Sequence, residues 1–230
     1  LQCLGMFRSY QDIAEYFNTY HITSYLGRTQ DQVRPGMLIY KDVRGAYDAT
    51  TGTYAGPDGV VDGDNDQVSL SNRSDNIYGF TMNLSAEYKS FSLIAQLGAS
   101  WGAYTIIPGA ALKPSGNIEY SNMPSFWNVD NMYAYSDVYD GSGQLVVKQN
   151  RDGIYPNLAY SGVNAVASSF WRVSAANVAL NRLTVAYSLP KTWLKPIGIS
   201  SARINISGQN LFNFCNPYPD KFTNPMAGTY

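Results

Sequence analysis

The stretch of this 230-residue chain most suggestive of chemistry is Asp58-Gly59-Val60-Val61-Asp62-Gly63-Asp64-Asn65-Asp66. Closely spaced carboxylates on a Gly-rich turn suit a hard cation, because calcium takes roughly six to eight oxygens from Asp, Asn and carbonyl groups. Asp58, Asp62 and Asp66, with the Val60 carbonyl, are the candidate ligands; the competing reading is a solvated acidic turn. A second set is aromatic: Trp101, Tyr104, Trp127, Tyr133, Tyr135 and Tyr139. Sugar rings stack on such faces, and Trp and Tyr supply large, rigid contact area. Here the competing reading is that they pack loops together or anchor a membrane interface. Nucleophilic catalysis has little to work with. His21 is the single histidine, it lies in Asn18-Thr19-Tyr20-His21-Ile22-Thr23, and no G-x-S-x-G motif accompanies it. It reads as a surface residue, and no enzymatic activity is expected. With Cys3 and Cys215 as the only cysteines, the usual Cys/His zinc sites are out of reach.

The elements that must carry these residues are constrained by composition. Net charge is -1, which gives no basic footprint for nucleic acid. Charged residues are 14% of the chain, against roughly 25% in ordinary soluble domains, while aromatics reach 14% with 19 tyrosines. Secreted β-rich binding modules and membrane β-barrels share this profile. No run of about eighteen apolar residues is present to form a transmembrane helix; a barrel strand needs only about ten residues of alternating character. Leu1 to Phe7 has neither the charged start nor the apolar core of a signal peptide, and the chain reads as a fragment that begins without a first strand.

The clearest periodicity runs from Ile77 to Trp101. Phe80, Met82, Leu84, Ala86 and Tyr88 alternate with Thr81, Asn83, Ser85 and Glu87. Lys89-Ser90 makes a tight connection. Phe91, Leu93, Ala95, Leu97, Ala99 and Trp101 then alternate with Ser92, Gln96, Gly98 and Ser100, with Ile94 the exception. Period two over this length predicts a hairpin with one apolar and one polar face. Aromatics stand at both ends of the apolar face, as the interfacial girdles of a barrel would. A soluble sandwich hairpin covered by a second sheet fits the alternation equally well.

A second hairpin is expected near the C-terminus. Leu183, Val185, Tyr187 and Leu189 alternate with Thr184, Ala186 and Ser188 until Pro190, which lacks the amide a ladder needs. Ala202 to Gln209 alternates again after a short turn. Upstream, 170–180 extends the descending strand, with a register break at Asn181-Arg182. Residues 11–17 predict a short helix, and Leu145-Val146-Val147 after Gly141-Ser142-Gly143 a small hairpin. The stretch 102–167 is otherwise Gly-, Pro-, Asn- and Tyr-rich and weakly patterned. So long a connection is unusual in a compact domain and ordinary for the external loop of a barrel.

Several motifs, in order, resemble the last third of SusC/RagA-type TonB-dependent outer-membrane transporters. Gly5-Met6-Phe7 with Gln11-Asp12-Ile13 is similar to that family's "G-x-F, then an acidic short helix". Arg34 to Val43 resembles its "PGD-x-x-Y-x-D-x-N-G-D-G", Tyr88-Lys89-Ser90-Phe91-Ser92-Leu93 its "YKGFDL", and Leu180 to Pro190 its "L-x-N-L-T-L-G-Y-T-L-P". Lys191-Thr192-Trp193-Leu194-Lys195 is similar to the family's next turn, and Ile206-Ser207-Gly208-Gln209-Asn210-Leu211-Phe212 resembles "V-S-G-Q-N-L-F", the most specific of these matches.

The resemblance implies an all-β fold: an antiparallel transmembrane β-barrel segment of about four strands with long extracellular loops. It divides the chain into an extracellular region at 1–76, a barrel hairpin at 77–101, a long extracellular loop at 102–167, a second barrel hairpin at 168–212, and at 213–230 the start of a loop before a closing strand. Lys89-Ser90 and 190–201 would face the periplasm. It implies nutrient uptake of bulky solutes, oligosaccharides or peptides, across the outer membrane of a Gram-negative bacterium. The implied partners are a SusD-like surface lipoprotein as lid, the plug and other strands of the same transporter, TonB through that plug, and outer-membrane lipid. Trp101, Tyr104, Trp127, Tyr133 and Tyr135 become candidate contacts to solute or lid. The family's acidic stretch has EF-hand-like spacing, which adds Asp42 to Asp58, Asp62 and Asp66; an insertion at 46–57 splits it, and Arg44 stands where an Asn ligand is expected. Calcium is the candidate cofactor. Both cysteines fall on the external side, where disulfides persist, so a Cys3–Cys215 bridge and two free thiols are both open. The alternative to the transporter is a secreted, calcium-bound, glycan-binding β-sandwich.

Overall fold

A computed structural model describes residues 1–70, 73, 75–107, 109–112 and 124–222. Residues 113–123 of the expected long loop and 223–230 of the expected last loop lie outside the described residues. In chain order the strands begin with β1 (Cys3–Met6), β2 (Ser24–Tyr25), β3 (Leu38–Tyr40), β4 (Tyr47–Asp48), β5 (Thr53–Tyr54) and β6 (Val60–Val61). Then come β7 (Tyr78–Tyr88), β8 (Phe91–Trp101), β9 (Tyr104–Ile106), β10 (Val138–Tyr139), β11 (Leu145–Val147) and β12 (Arg172–Ser174). The last two are β13 (Asn177–Ser188) and β14 (Arg203–Cys215). The helices are α1 (Tyr10–Thr19), α2 (Ser161–Asn164) and α3 (Lys191–Leu194). The fold is therefore all-β-like and antiparallel, apart from the short parallel pair β2–β6. The described residues contain no closed barrel.

The chain forms two units. Unit 1 combines 1–70 with 106–172, and unit 2 combines 71–105 with 173–230. Unit 1 is a difference from expectation: the two stretches read as loops fold together around a common core. Alternation could not reveal it, because the core is built from isolated aromatics on short elements. Phe7, Tyr25, Val33, Leu38, Tyr40, Val61, Phe126, Tyr133 and Val163 have no exposed surface. Buried tyrosines need partners for their hydroxyls, and these have them. Tyr25 donates to the Leu38 carbonyl and accepts from the Tyr40 amide at 3.1 Å, while Tyr40 donates to the Val163 carbonyl at 2.9 Å.

Asn164 joins the two stretches of unit 1. Its side chain accepts from the Leu38 amide at 2.9 Å and donates to the carbonyls of Gly36 and Asn157 at 2.9 and 2.8 Å. The expected short helix is α1. Ile13, Tyr16 and Phe17, three and four residues apart, are its buried face. Ser9 caps it, accepting from the Asp12 amide, and the Asp12 carboxylate returns bonds to the amides of Arg8 and Ser9. Burial of Asp12 works against its charge, but the Ser9 hydroxyl and these amides win and hold its pKa below the usual carboxylate range. Ser9→Ala should cost about 1 kcal/mol, read as a lower unfolding midpoint; no change would remove this box from the account of unit 1. The expected small hairpin is β10–β11, and the 46–57 insertion closes as the hairpin β4–β5, with Tyr47 against Tyr54 at 5.0 Å.

Unit 2 is organised by a four-stranded sheet in the order β14-β13-β8-β7. The β7–β8 register runs without a break from Tyr78↔Trp101 to Tyr88↔Phe91. Lys89 takes a φ of 55°, the positive value that two-residue hairpin turns require at their first central position. The expected break in β13 is a bulge at Asn181, between Leu180 and Arg182. There Gly98 leaves room: a Cβ on it would come within 2.3 Å of the Asn181 amide nitrogen. The upstream extension of that strand is shorter than expected, because Phe170 and Trp171 belong to a turn in unit 1.

Candidate functional site

The register sorts the sheet into two chemically distinct faces, since directly opposed residues share a face. One carries Phe80, Met82, Leu84, Ala86 and Tyr88 of β7 and Phe91, Leu93, Ala95, Leu97 and Ala99 of β8. It continues through Val178, Leu180, Leu183, Val185 and Tyr187 of β13 to Ile204, Ile206 and Phe212 of β14. This face is exposed: Leu84 by 48%, Phe80 by 56% and Ile206 by 77%. It holds no charge. The opposite face carries Thr81, Asn83, Ser85, Glu87, Ser92, Gln96, Arg182, Thr184, Arg203, Asn205 and Ser207. Its groups bond across strands: Gln96 donates to Asn83 at 3.1 Å, Thr184 and Ser207 share a hydrogen bond at 2.9 Å, and Arg203 donates to Ser92. Ile94 is the apolar exception, opposite Ser85 and Thr184.

Aromatics cluster at both ends of the apolar face. Trp101 stacks on Tyr78 at 6.3 Å and meets Phe80 edge-on at 6.4 Å; at the turn end Phe91 lies 4.7 Å from Tyr187, beside Tyr88. The two clusters are ten residues apart along β7, which is about 33 Å at ~3.3 Å per residue. A tilt of roughly 40° reduces this to about 25 Å, the height of the apolar band of an outer-membrane barrel.

The expected contact aromatics separate in the structure. Trp101 is exposed in the aromatic cluster just described, and Tyr104 is exposed on β9. Trp127 is half-buried in unit 1 among Phe126, Tyr155 and Trp171, and donates from Nε1 to the Ala111 carbonyl at 2.9 Å. Tyr133 is a correction: its ring has no exposed surface and its hydroxyl donates to the Arg8 carbonyl, so it is a core residue with no face for a solute. Tyr135 is half-exposed, with the Arg151 guanidinium 4.4 Å above its ring and Tyr10 edge-on at 5.4 Å. Tyr139 is exposed on β10.

The acidic residues come together in a turn, but as acceptors for backbone amides. Asp66 is fully buried; it accepts from the amides of Val43 at 2.6 Å, Arg44 at 3.2 Å and Asp62 at 2.9 Å. Asp62 accepts from the amides of Asp64 and Asn65, the latter first among the bonds that hold its pKa low. Asp58 accepts from Val60, and Asp42 from Gly59 at 2.7 Å. The other Asp42 oxygen is buried without a partner. Burial raises the pKa of Asp42, and the charges of Asp66 and Asp58 add to this against the Gly59 hydrogen bond.

Among the described residues no group of three or more His, Cys, Asp or Glu side chains is arranged to hold a metal ion. Calcium takes roughly six to eight oxygens, and this donor set, as arranged, does not fit it. Arg44 explains part of the difference. Where the resemblance places an Asn ligand, its guanidinium donates to the carbonyls of Asn65 at 2.6 Å and Gln67 at 2.9 Å and lies over the Tyr54 ring at 3.9 Å. Asp66→Ala leaves three amides without an acceptor. It should cost about 2–4 kcal/mol, from several charge-assisted bonds. Unfolding with and without calcium checks this: the same loss in both is expected, and a calcium-dependent loss would return Asp66 to the role of ligand.

His21 is exposed, as expected, with a positive φ of 53°. Cys3 and Cys215 are free thiols. Cys3 donates to the Gly5 carbonyl at 3.2 Å, and burial raises its pKa. Neither a protein-family model nor a curated protein matches the chain.

Proposed function

We propose that the chain is the barrel portion of a TonB-dependent outer-membrane importer of the SusC/RagA type. It contributes wall and mouth for a bulky solute, an oligosaccharide or a peptide, and carries no catalysis. The observation that supports this best is the sheet's division of faces. An apolar surface continuous over four strands, uncharged and exposed, is far more than a soluble monomer ordinarily presents to water. Lipid is the solvent that suits it. The polar face, with its small neutral groups and two arginines, suits a water-filled lumen. The edges support the same reading. β7 and β14 are eleven and thirteen residues long, and long unprotected edges are a liability that barrels remove by pairing them.

By the resemblance, residues 1–76 and 102–167 are extracellular and meet a SusD-like lid, and import is driven through TonB and the plug. A glycan-binding β-sandwich would require a second sheet over the apolar face, whose side chains are exposed. Membrane fractionation tests the proposal. The protein should stay with outer membranes through an alkaline wash and need detergent for release. A soluble monomer in the periplasm or medium would overturn it.

A further inference from the structure

One groove on unit 1 has a lining that wall formation does not use. It encloses about 690 Å³, and its lining includes Gly27, Arg28, Gln32, Arg34, Tyr160 and Gly162. Both arginines are half-buried. Among the described residues neither has a carboxylate partner. Arg28 donates from Nη1 to the Leu26 carbonyl at 3.0 Å, and Arg34 donates from Nη1 to the carbonyls of Asp31 and Val33. The Asp31 carboxylate accepts from the Thr29 hydroxyl instead. Backbone carbonyls thus hold each guanidinium by one nitrogen and leave the rest of its fork to donate. A guanidinium presents five N–H groups in a planar fork that matches a carboxylate. An anionic ligand on such a cation gains charge-assisted hydrogen bonds, roughly twice as strong as neutral ones. The groove also leaves space: a Cβ on Gly162 would have only the Arg28 Nη2 nearby, at 3.6 Å.

An aromatic ring belongs to the same lining. Tyr160 lines the groove together with both arginines. Two guanidinium groups and a phenol ring therefore share one groove. A chain of acidic sugars has the matching pattern, since each residue offers ring C–H groups to an aromatic and a carboxylate to an arginine.

We propose that this groove binds an acidic oligosaccharide, with uronate carboxylates on Arg28 and Arg34 and a sugar ring on Tyr160. The binding is a property of unit 1; that the bound sugar is the imported solute rests on the transporter reading. Calorimetric titration of the detergent-solubilised full protein tests it with three probes: tetragalacturonate, its methyl ester and tetraglutamate. Tetragalacturonate should bind at least tenfold more tightly than the other two, and more weakly as salt is raised. Arg28→Gln and Arg34→Gln should each weaken it about tenfold, with Tyr160→Ala also weakening it. The ester comparison uses the unaltered chain, so it stands even if a variant misfolds. Equal binding of acid and ester, tighter binding of tetraglutamate, or no binding would overturn the proposal. Failure here leaves membrane fractionation untouched, and uronate binding by a soluble protein would sustain this site while removing the transporter.

Discussion

Leu84→Arg should sharply reduce the yield of folded protein, while Asn83→Arg, one residue away, should be nearly neutral. Both positions lie in the middle of β7, opposite Ala95 and Gln96. They differ only in the face they occupy. An arginine on the lipid face near the midplane of a barrel costs about 2–4 kcal/mol, which is about 30- to 1,000-fold in the folding equilibrium. On the opposite face an added guanidinium joins Asn83 neighbours such as Gln96, in a row that already holds Arg182 and Arg203. The measurement is the fraction of heat-modifiable, folded protein recovered from outer membranes. Similar losses for both variants would mean that the two faces meet the same surroundings.

Trp171→Ala should cost unit 1 about 3–5 kcal/mol, the range for deleting a large buried aromatic. Trp171 is 1% exposed. It stacks on Tyr155 at 6.2 Å, meets Phe170 edge-on at 4.7 Å, and lies 5.6 Å from Trp127. Its Nε1 donates to the Asn164 carbonyl at 2.6 Å, beside the Asn164 side-chain bonds that join the two stretches of the unit. Domains are stable by only about 5–15 kcal/mol, so this one truncation removes a large share. Trp193→Ala is the control: Trp193 is 62% exposed, and its loss should stay within about 0.5 kcal/mol. Near-ultraviolet dichroism during thermal unfolding reads both. A small effect at Trp171 would show that the aromatic core does not hold unit 1 together.

Unit 2 was legible because a strand's side chains repeat every two residues. Phe80 to Tyr88 and Phe91 to Trp101 carry that period with Ile94 as the one exception, and Pro190 marks the end of β13. Even the Asn181 bulge is visible as a break in phase. Unit 1 was not legible in this way. Its core residues, such as Phe7, Tyr25 and Trp171, come from short elements far apart in the chain, and no local period links them. The acidic turn left two readings open for a related reason. The number of carboxylates suits a cation, but Asp62 and Asp66 are equally placed to accept a tight turn's amides. What decides between the two is where those amides point, a three-dimensional property. The sequence carried two signals against a cation: Arg44, a positive charge among the candidate ligands, and the insertion at 46–57 that splits them. Tyr133 and Tyr135 show the limit for the aromatics: two residues apart and identical in type, one is core and the other half-exposed.

The central claim, that the apolar face of the β7–β8–β13–β14 sheet meets lipid, is tested most directly by single nitroxide labels in a cysteine-free background, with Cys3 and Cys215 replaced by serine. Labels would be placed at successive positions from Thr81 to Ala86 and at Thr184 and Val185, with the protein in its membrane. Collision with lipid-soluble oxygen should be high at Met82, Leu84, Ala86 and Val185. Collision with a water-soluble nickel chelate should be high at Thr81, Asn83, Ser85 and Thr184, giving two profiles of period two in opposite phase. Apolar-face labels that collide with neither reagent, or as freely with the chelate as their neighbours do, would contradict the account.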